Sequence, residues 1–248
     1  MKRRVYRTGA GLGLLVACLV FALRLTANAV NHWLVQTAAG WPEGVRLAVA
    51  ALGGYLIGSI PFGYLIVGVT SERDIREVGS GRTGGTNVLR SAGFGPAVFA
   101  VIADLLKGAV AVVFGALMLP GSYWPLIVAG WGAVLGHNAP VFLAFRGGAG
   151  TMTNIGVTTV LWMPSLLFIM PIFLLAWWTI RIASLSSLII AAALALVFTG
   201  RAVLSGGQWE FVAYTIGSFL IIAYALRPNI KRLINGTEPR VPRVGKSF

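Results

Sequence analysis

Three short polar stretches interrupt an otherwise apolar chain, and their residue types suit the handling of phosphate. The first is Gly79-Ser80-Gly81-Arg82-Thr83-Gly84-Gly85-Thr86-Asn87-Val88-Leu89-Arg90. Glycines let backbone N–H groups converge on an anion, Ser, Thr and Asn add neutral donors, and Arg90 adds a planar cation. A flexible connector would explain the glycines, but not Thr-Asn and an arginine placed ahead of a helix. The second stretch is Gly136-His137-Asn138, then Phe145-Arg146-Gly147-Gly148-Ala149-Gly150-Thr151. A glycine run entering a helix can cradle phosphate, although tight helix–helix turns use glycine too. His137 suits a general base, a phosphate ligand or a structural role. The third is Asn229-Ile230-Lys231-Arg232-Leu233-Ile234-Asn235-Gly236-Thr237-Glu238, which alone reads as a basic segment beside anionic lipid.

Asp104 and Lys107 lie inside an apolar block, three residues apart and so on one helix face. Charges in a membrane span face each other or a polar cavity. A structural ion pair and a Lys107 that lines an anion pocket both fit. Other chemistries are absent from the sequence. There is no Gly-x-Ser-x-Gly elbow, no His-x4-Asp box after His137, where the fifth residue is Phe142, and no carboxylate or histidine cluster suited to a metal.

The elements that position these residues are membrane helices. Hydrophobic residues make up 57% and charged ones 11% of the 248 residues, with mean hydropathy +0.82. A soluble domain carries roughly 25% charged residues. Long apolar blocks favour helices over a barrel. Blocks at about 10–33, 47–70, 93–119, 124–145, 153–180, 183–199 and 209–226 follow. The fifth is too long for one span, and Pro164 divides it, giving eight expected membrane helices. The net charge of +13 follows the positive-inside rule rather than nucleic-acid binding. With the N-terminus inside, the 71–91 loop, the Arg146 loop, the Arg181 turn and the C-terminal tail also lie inside, and only Arg46 and Arg201 fall outside. The basic start, apolar run and Ala27-Asn28-Ala29 resemble a cleavable signal peptide, though Arg24 argues against cleavage. Cleavage would leave seven spans. The lone Cys18 permits no disulfide within the chain.

Taken together these stretches resemble the bacterial acyl-phosphate:glycerol-3-phosphate acyltransferases, the PlsY family. The residues that carry the resemblance are Gly58-Ser59-Ile60-Pro61-Phe62-Gly63-Tyr64, Gly79-Ser80-Gly81 with Gly84, Thr86-Asn87-Val88-Leu89-Arg90, Asp104-Leu105-Leu106-Lys107-Gly108, Gly136-His137 with Pro140-Val141-Phe142-Leu143, and Asn229-Ile230-Lys231-Arg232-Leu233 with Gly236-Thr237-Glu238. The resemblance implies an all-α, seven-helix integral membrane core at residues 46–239, after an extension at 1–45 with one extra hydrophobic helix and before a basic tail at 240–248. It implies acyl transfer from acyl-phosphate to the 1-hydroxyl of glycerol 3-phosphate in phospholipid synthesis, at the cytoplasmic face of a bacterial inner membrane, with no cofactor or metal. It implies Ser80, Asn87, Arg90 and His137 as candidate catalytic residues. Ser59, Thr86, Lys107, Arg82, Arg146, Gly147, Gly148, Gly150, Asn229 and Glu238 are the candidate substrate-binding residues.

The chain departs from the family pattern. Arg82 stands where the family has Asn, Gly85 where it has Ala, Ala149 where the glycine loop has Lys, and Leu226 and Pro228 flank Arg227 where it has His-Arg-x-Asn. Either Arg82 restores the lost charge from another loop, or the chain is a catalytically weak paralogue that binds lipid phosphates or regulates a partner. A small-anion transporter is a third reading, disfavoured because the polar motifs fall on one side.

Overall fold

The computed structural model describes residues 31–241, which contain helices and no strand. The expected first span at 10–33, apart from its last three residues, and the Ala27-Asn28-Ala29 site lie outside them. Residues 31–39 form the described part of α1. Then come α2 (Glu43–Gly58), α3 (Phe62–Ser71), α4 (Gly85–Ala92), α5 (Phe94–Met118), α6 (Trp124–Asn138), α7 (Thr151–Leu161), α8 (Ser165–Leu175, ending in a π-helical turn, Ala176–Ile180), α9 (Ala183–Ser205), α10 (Trp209–Ala225) and α11 (Arg227–Ile234). Among the described residues four stretches are long and apolar enough to cross a membrane: Glu43–Ser71, Phe94–Met118, Trp124–Leu143 and Ala183–Ser205. α10 and α11 together make a fifth, bent by 66°. Large apolar side chains such as Val69, Phe99, Leu167, Trp178 and Leu196 face outward, as a lipid-solvated surface requires.

Two interruptions shape the site. The expected block at 47–70 is broken at Ser59-Ile60-Pro61, because Pro61 lacks an N–H and leaves a carbonyl of the preceding turn free. The block at 153–180 divides at Pro164 as expected. α7 has 11 residues, about 16 Å, too short to cross a ~30 Å hydrocarbon core. It is nevertheless among the most buried helices, with Thr153, Asn154, Ile155, Gly156, Val157 and Thr158 all enclosed. A third difference is local. The 71–91 stretch is not all loop; its end is α4, so that Arg90 lies in the last turn of one helix and just ahead of the next, α5.

Small residues bring the helices that carry polar groups into close contact. Gly54 and Gly58 of α2 lie on the backbones of Ala129 and Ala133 of α6, and Gly132 and Gly136 lie on those of Ala51 and Tyr55. A Cβ at any of the four would overlap the opposing backbone. Gly108 of α5 meets the carbonyl of Thr153, and Gly156 of α7 that of Leu105. Lipid tails are as apolar as the helix surfaces, so such packing is a main source of association. It fixes the end of α6, where His137 sits, against Ser59, and the middle of α5, where Asp104 and Lys107 sit, against α7.

Candidate active site

The three polar stretches converge. A cavity of about 440 Å³ lies at one end of the bundle, lined by residues of the 79–90 stretch, the Ala149–Thr151 loop end, His137, and Asn229 and Glu238. Arg46 and Arg201 belong to the opposite end, where α2 begins and α9 finishes.

Asn87 builds the first wall. Its side chain is 2% exposed. Its amide nitrogen donates to the carbonyls of Ile75 (3.0 Å), Val78 (2.9 Å) and Arg82 (2.9 Å), and its oxygen accepts from the Ser80 N–H at 3.2 Å. One buried amide thus folds the whole 75–82 loop around itself. Gly79 is required beside it, because its φ of +55° is left-handed and a Cβ there would strike the Asn87 oxygen. Asn87 lines the cavity together with Ser80, Thr86 and Arg90, but its amide is taken up by the loop. Arg90 makes one long contact, donating to the Arg240 carbonyl at 3.3 Å, and burial lowers its pKa from the usual arginine value.

Arg82 spans the site. Its Nε and Nη2 donate to Asn229 Oδ1 at 3.1 and 2.7 Å, Nη1 to the Gly148 carbonyl at 3.0 Å, and Nη2 to the Ala225 carbonyl at 2.6 Å. It thereby ties the first polar loop to the glycine loop and to the end of α10. Its acceptors are neutral. Burial lowers the guanidinium pKa, yet an arginine so placed stays a cation.

Asn229 in turn donates to Glu238 Oε1 at 2.7 Å. Ser184 donates to the same oxygen at 2.8 Å, and Arg232 pairs with Oε2 at 2.7 Å. Burial pushes the Glu238 carboxyl up, but the hydrogen bonds from Asn229, Ser184 and Arg232 outweigh it and hold the pKa below the usual range. The strap after α11 continues over the cavity. The Val241 N–H donates to the Arg181 carbonyl, and Arg181 Nη2 donates to the Val241 carbonyl, both at 2.6 Å.

The floor is a buried charge cluster. Lys107 Nζ lies 2.8 Å from Asp104 Oδ1 and donates at 2.9 Å to the Ile60 carbonyl, which also accepts from the Phe62 N–H at 3.1 Å across the break between α2 and α3. His137 Nδ1 lies 3.4 Å from the same Asp104 oxygen. Asp104 and His137 line both the cavity and a smaller cleft behind it, whereas Lys107 and Ser59 line the cleft alone. The glycine loop folds back on His137. The Gly148 N–H donates to the His137 carbonyl at 3.0 Å, and Gly147 packs on that carbonyl. Gly150 takes a left-handed φ of +84° at the mouth of α7.

Of the candidate residues, Arg146 is exposed and lines neither space, and Gly147 and Gly148 lie behind the lining. Sequence reasoning did not single out Asp104 as a site residue in its own right, nor Ser184, Ser187 and Arg181, which also line the cavity. The run Ser184-Leu185-Ser186-Ser187 at the start of an apolar helix was the available signal for two of them. Among the described residues the ion pairs join Asp104 to Lys107 and His137, Glu238 to Arg232, and Asp74 to Arg76. The cavity-lining cations Arg82, Arg90 and Arg181 are in none of these pairs, so the cavity favours anions.

Comparison with known proteins agrees with this arrangement. Residues 48–236 match the family described as Glycerol-3-phosphate acyltransferase. The chain is 38% identical over 200 residues to a glycerol-3-phosphate acyltransferase of Synechococcus sp. (strain JA-3-3Ab), covering 81% of this chain and 96% of that one. It is 40% identical over 200 residues to one of Paramagnetospirillum magneticum, covering 79% and 94%. The fold is similar to crystal structures of PlsY (YgiH), an integral membrane glycerol 3-phosphate acyltransferase. For the glycerol 3-phosphate form the TM-score is 0.70 at 32% identity, over 79% of this chain and 96% of that one. For the lysophosphatidic acid form it is 0.67 at 30% identity, over 78% and 94%. With the family match, the relatives and the fold in accord, the chain belongs to the glycerol-3-phosphate acyltransferase family.

Proposed function

We propose that the protein transfers a fatty acyl group from acyl-phosphate to the 1-hydroxyl of glycerol 3-phosphate, giving 1-acylglycerol 3-phosphate and inorganic phosphate. The observation that carries this reading is the convergence of three distant polar stretches on one cavity lined by Arg82, Arg90 and Arg181. That cavity has an apolar side as well. Val98, Val101 and Ile102 of α5 and Phe173, Leu174 and Trp177 of α8 line it, and Val98, Ile102 and Leu174 are exposed on the lipid-facing surface. Two phosphates and an acyl tail match these two halves. The relatives carry the name of glycerol-3-phosphate acyltransferases, and the similar PlsY structures are glycerol 3-phosphate and lysophosphatidic acid forms, which supports the same acceptor here.

In the reaction the hydroxyl oxygen attacks the acyl carbonyl carbon and forms the ester C–O bond. The bond from that carbon to the phosphate oxygen breaks, and phosphate leaves with the electron pair. The hydroxyl proton has two acceptors at hand, a substrate phosphate oxygen and His137. An acyl-phosphate is already activated, so the protein's contribution is placement and neutralisation of charge. Ser80, Thr86 and Arg90 supply donors to phosphate. Arg82 has five N–H groups and four bonds to protein, which leaves one N–H for a phosphate oxygen. Asn229 and Glu238 hold Arg82 in place, and Ser59 and Lys107 support the floor.

The enzyme core comprises residues 46–239, with an extension before it and a basic tail after it. The cavity faces the cytoplasm of a bacterial inner membrane, because the basic Arg73–Arg90, Arg146, Arg181 and C-terminal segments share its end of the bundle. The test is purified protein with acyl-phosphate and labelled glycerol 3-phosphate. Labelled 1-acylglycerol 3-phosphate should appear with one phosphate released per ester formed, and acyl-CoA should not replace the donor. Absence of product from folded protein would overturn the reading.

A further inference from the structure

The third polar stretch has a face that the cavity leaves unused. α10 gives way to α11 at Leu226, where Pro228 has no N–H to offer the Tyr224 carbonyl, and the two helices are bent by 66°. One side of α11 turns inward: Asn229 is buried there and engages Arg82 and Glu238. The opposite side carries Arg227, Lys231 and Ile234, all exposed. Spacings of four and three residues put them on one helix face.

This face continues the lipid-facing stripe of α10. Ile216, Leu220 and Tyr224 follow one another along that stripe at successive turns, all exposed. The Arg227 guanidinium then lies over the Tyr224 ring, 4.2 Å from its centroid. Aliphatic, then aromatic, then basic is the order in which a helix leaves the hydrocarbon core and enters the headgroup layer. Past the bend, Ile234 is 80% exposed on the same side as the two cations. A basic face with an apolar member suits a helix that lies along the interface.

The charges on this face are open to a ligand. The chain's seven acidic residues all fall within the described part, and neither Arg227 nor Lys231 is in an ion pair with any of them. Their neighbour Arg232 is different, since Glu238 takes it up at 2.7 Å. Two unneutralised cations one helical turn apart, at headgroup depth, call for an anion that the membrane itself supplies.

We propose that the outer face of α11 binds the headgroup of an anionic phospholipid in the leaflet at the cavity's end of the bundle. Arg227 and Lys231 meet its phosphate, and Tyr224 and Ile234 lie against its acyl chains. α11 has only eight residues, so a headgroup held on its outer face also steadies Asn229, the anchor of Arg82, on its inner face. The binding stands apart from the acyl-transfer reading.

The test uses the full chain with Cys18→Ser and Asn235→Cys, labelled with a fluorophore at position 235, which is exposed at the end of α11. The protein is placed in phosphatidylcholine vesicles that contain either brominated phosphatidylglycerol or brominated phosphatidylcholine. Quenching should be stronger with the anionic lipid at equal content. Each cation near the surface accounts for about fivefold in preference, so Arg227→Gln and Lys231→Gln should each lower it by about that factor. Arg227→Lys and Lys231→Arg should retain it. Arg73 is exposed at the same end of the bundle but beside α3, so Arg73→Gln should leave the preference unchanged. Equal quenching by the two lipids in the parent protein would overturn the proposal. So would a loss in Arg73→Gln as large as that in Arg227→Gln, which would mean a diffuse basic field and no site. Displacement of the anionic lipid by inorganic phosphate at constant ionic strength would overturn it too, since the face would then take free anions. If a glutamine variant does not fold, the preference of the parent protein, with Arg73→Gln as its control, decides.

Discussion

Arg82 offers the sharpest test of how this cavity holds phosphate. Arg82→Asn removes a guanidinium that bonds Asn229, Gly148 and Ala225 and that points one further N–H elsewhere. A hydrogen bond from a charged donor contributes about 1.5–3 kcal/mol. If one such bond reaches a substrate phosphate, its loss lowers kcat/KM by about tenfold to about 150-fold. The loss of the tether to Gly148 adds to this, because the N–H of Gly148 bonds the His137 carbonyl but its own carbonyl is held by Arg82. Ala149→Lys provides the counter-experiment. Ala149 packs beside Val134, Ala191, Ile222 and Leu226 and also lines the cavity. A lysine stem can run along that apolar patch and deliver its ammonium to the cavity. Acyl transfer would be followed for both single variants and the double variant, at several concentrations of glycerol 3-phosphate and of acyl-phosphate. Arg82→Asn should be severely impaired, and Ala149→Lys in that background should recover activity. Should Arg82→Asn retain kcat/KM within about twofold of the parent, the assigned role is wrong. Should Ala149→Lys alone raise a low activity while Arg82→Asn is harmless, the chain is a weakened paralogue.

Arg90→Ala should lower kcat/KM for glycerol 3-phosphate by about tenfold to about 150-fold; Arg46→Ala, at the opposite end and bonded to the Ala39 and Trp41 carbonyls, should not. Asn87→Ala strips the donor from three carbonyls and the acceptor from the Ser80 N–H. It should cost about 2 kcal/mol or more, read as a lower Tm in detergent together with lost activity. Asn87→Asp, which cannot donate, should be no better. Glu238 has its pKa held below the usual value, so its stabilising contribution is complete at neutral pH and is lost as pH falls through its folded pKa, below the ordinary glutamate range. Hydrogen exchange at residues 237–241 should accelerate over that fall, and in Glu238→Gln the fall should leave it unchanged.

Much of the fold was legible because lipid imposes a simple rule: an apolar run of sufficient length is a helix. Pro164 announced its break, since a 153–180 block is too long to be one span. Pro61 did not, because 47–70 has ordinary length and only the folded chain shows the break turning the Ile60 carbonyl toward Lys107. The site residues were legible as types that suit phosphate, but their division of labour was not. Asn87 reads as a phosphate donor, yet its amide is occupied by carbonyls whose positions depend on the folded loop. Ser184 reads as a small residue in an apolar helix until Glu238, 54 residues away, is found beside it. Arg146 shares the glycine stretch yet faces out, because the left-handed turn at Ala144 and Phe145 reverses the chain before it.

The cations divide according to what faces them, and this division is the main thing the fold adds to the sequence. Lys107 and Arg232 are each set against a carboxylate, Asp104 and Glu238, so their charge is neutralised within the protein. Arg82, Arg90 and Arg181 are held by neutral carbonyls and an amide. A carbonyl fixes the orientation of a guanidinium but does not cancel its charge, so the field of these three remains in the cavity. Glu238 strengthens the arrangement indirectly: by engaging the Asn229 amide nitrogen at 2.7 Å it turns the Asn229 oxygen toward Arg82. A carboxylate in contact with Arg82 would hold it equally firmly and would compete with a substrate phosphate. With Asn229 interposed, the arginine is anchored and its charge is left for the ligand.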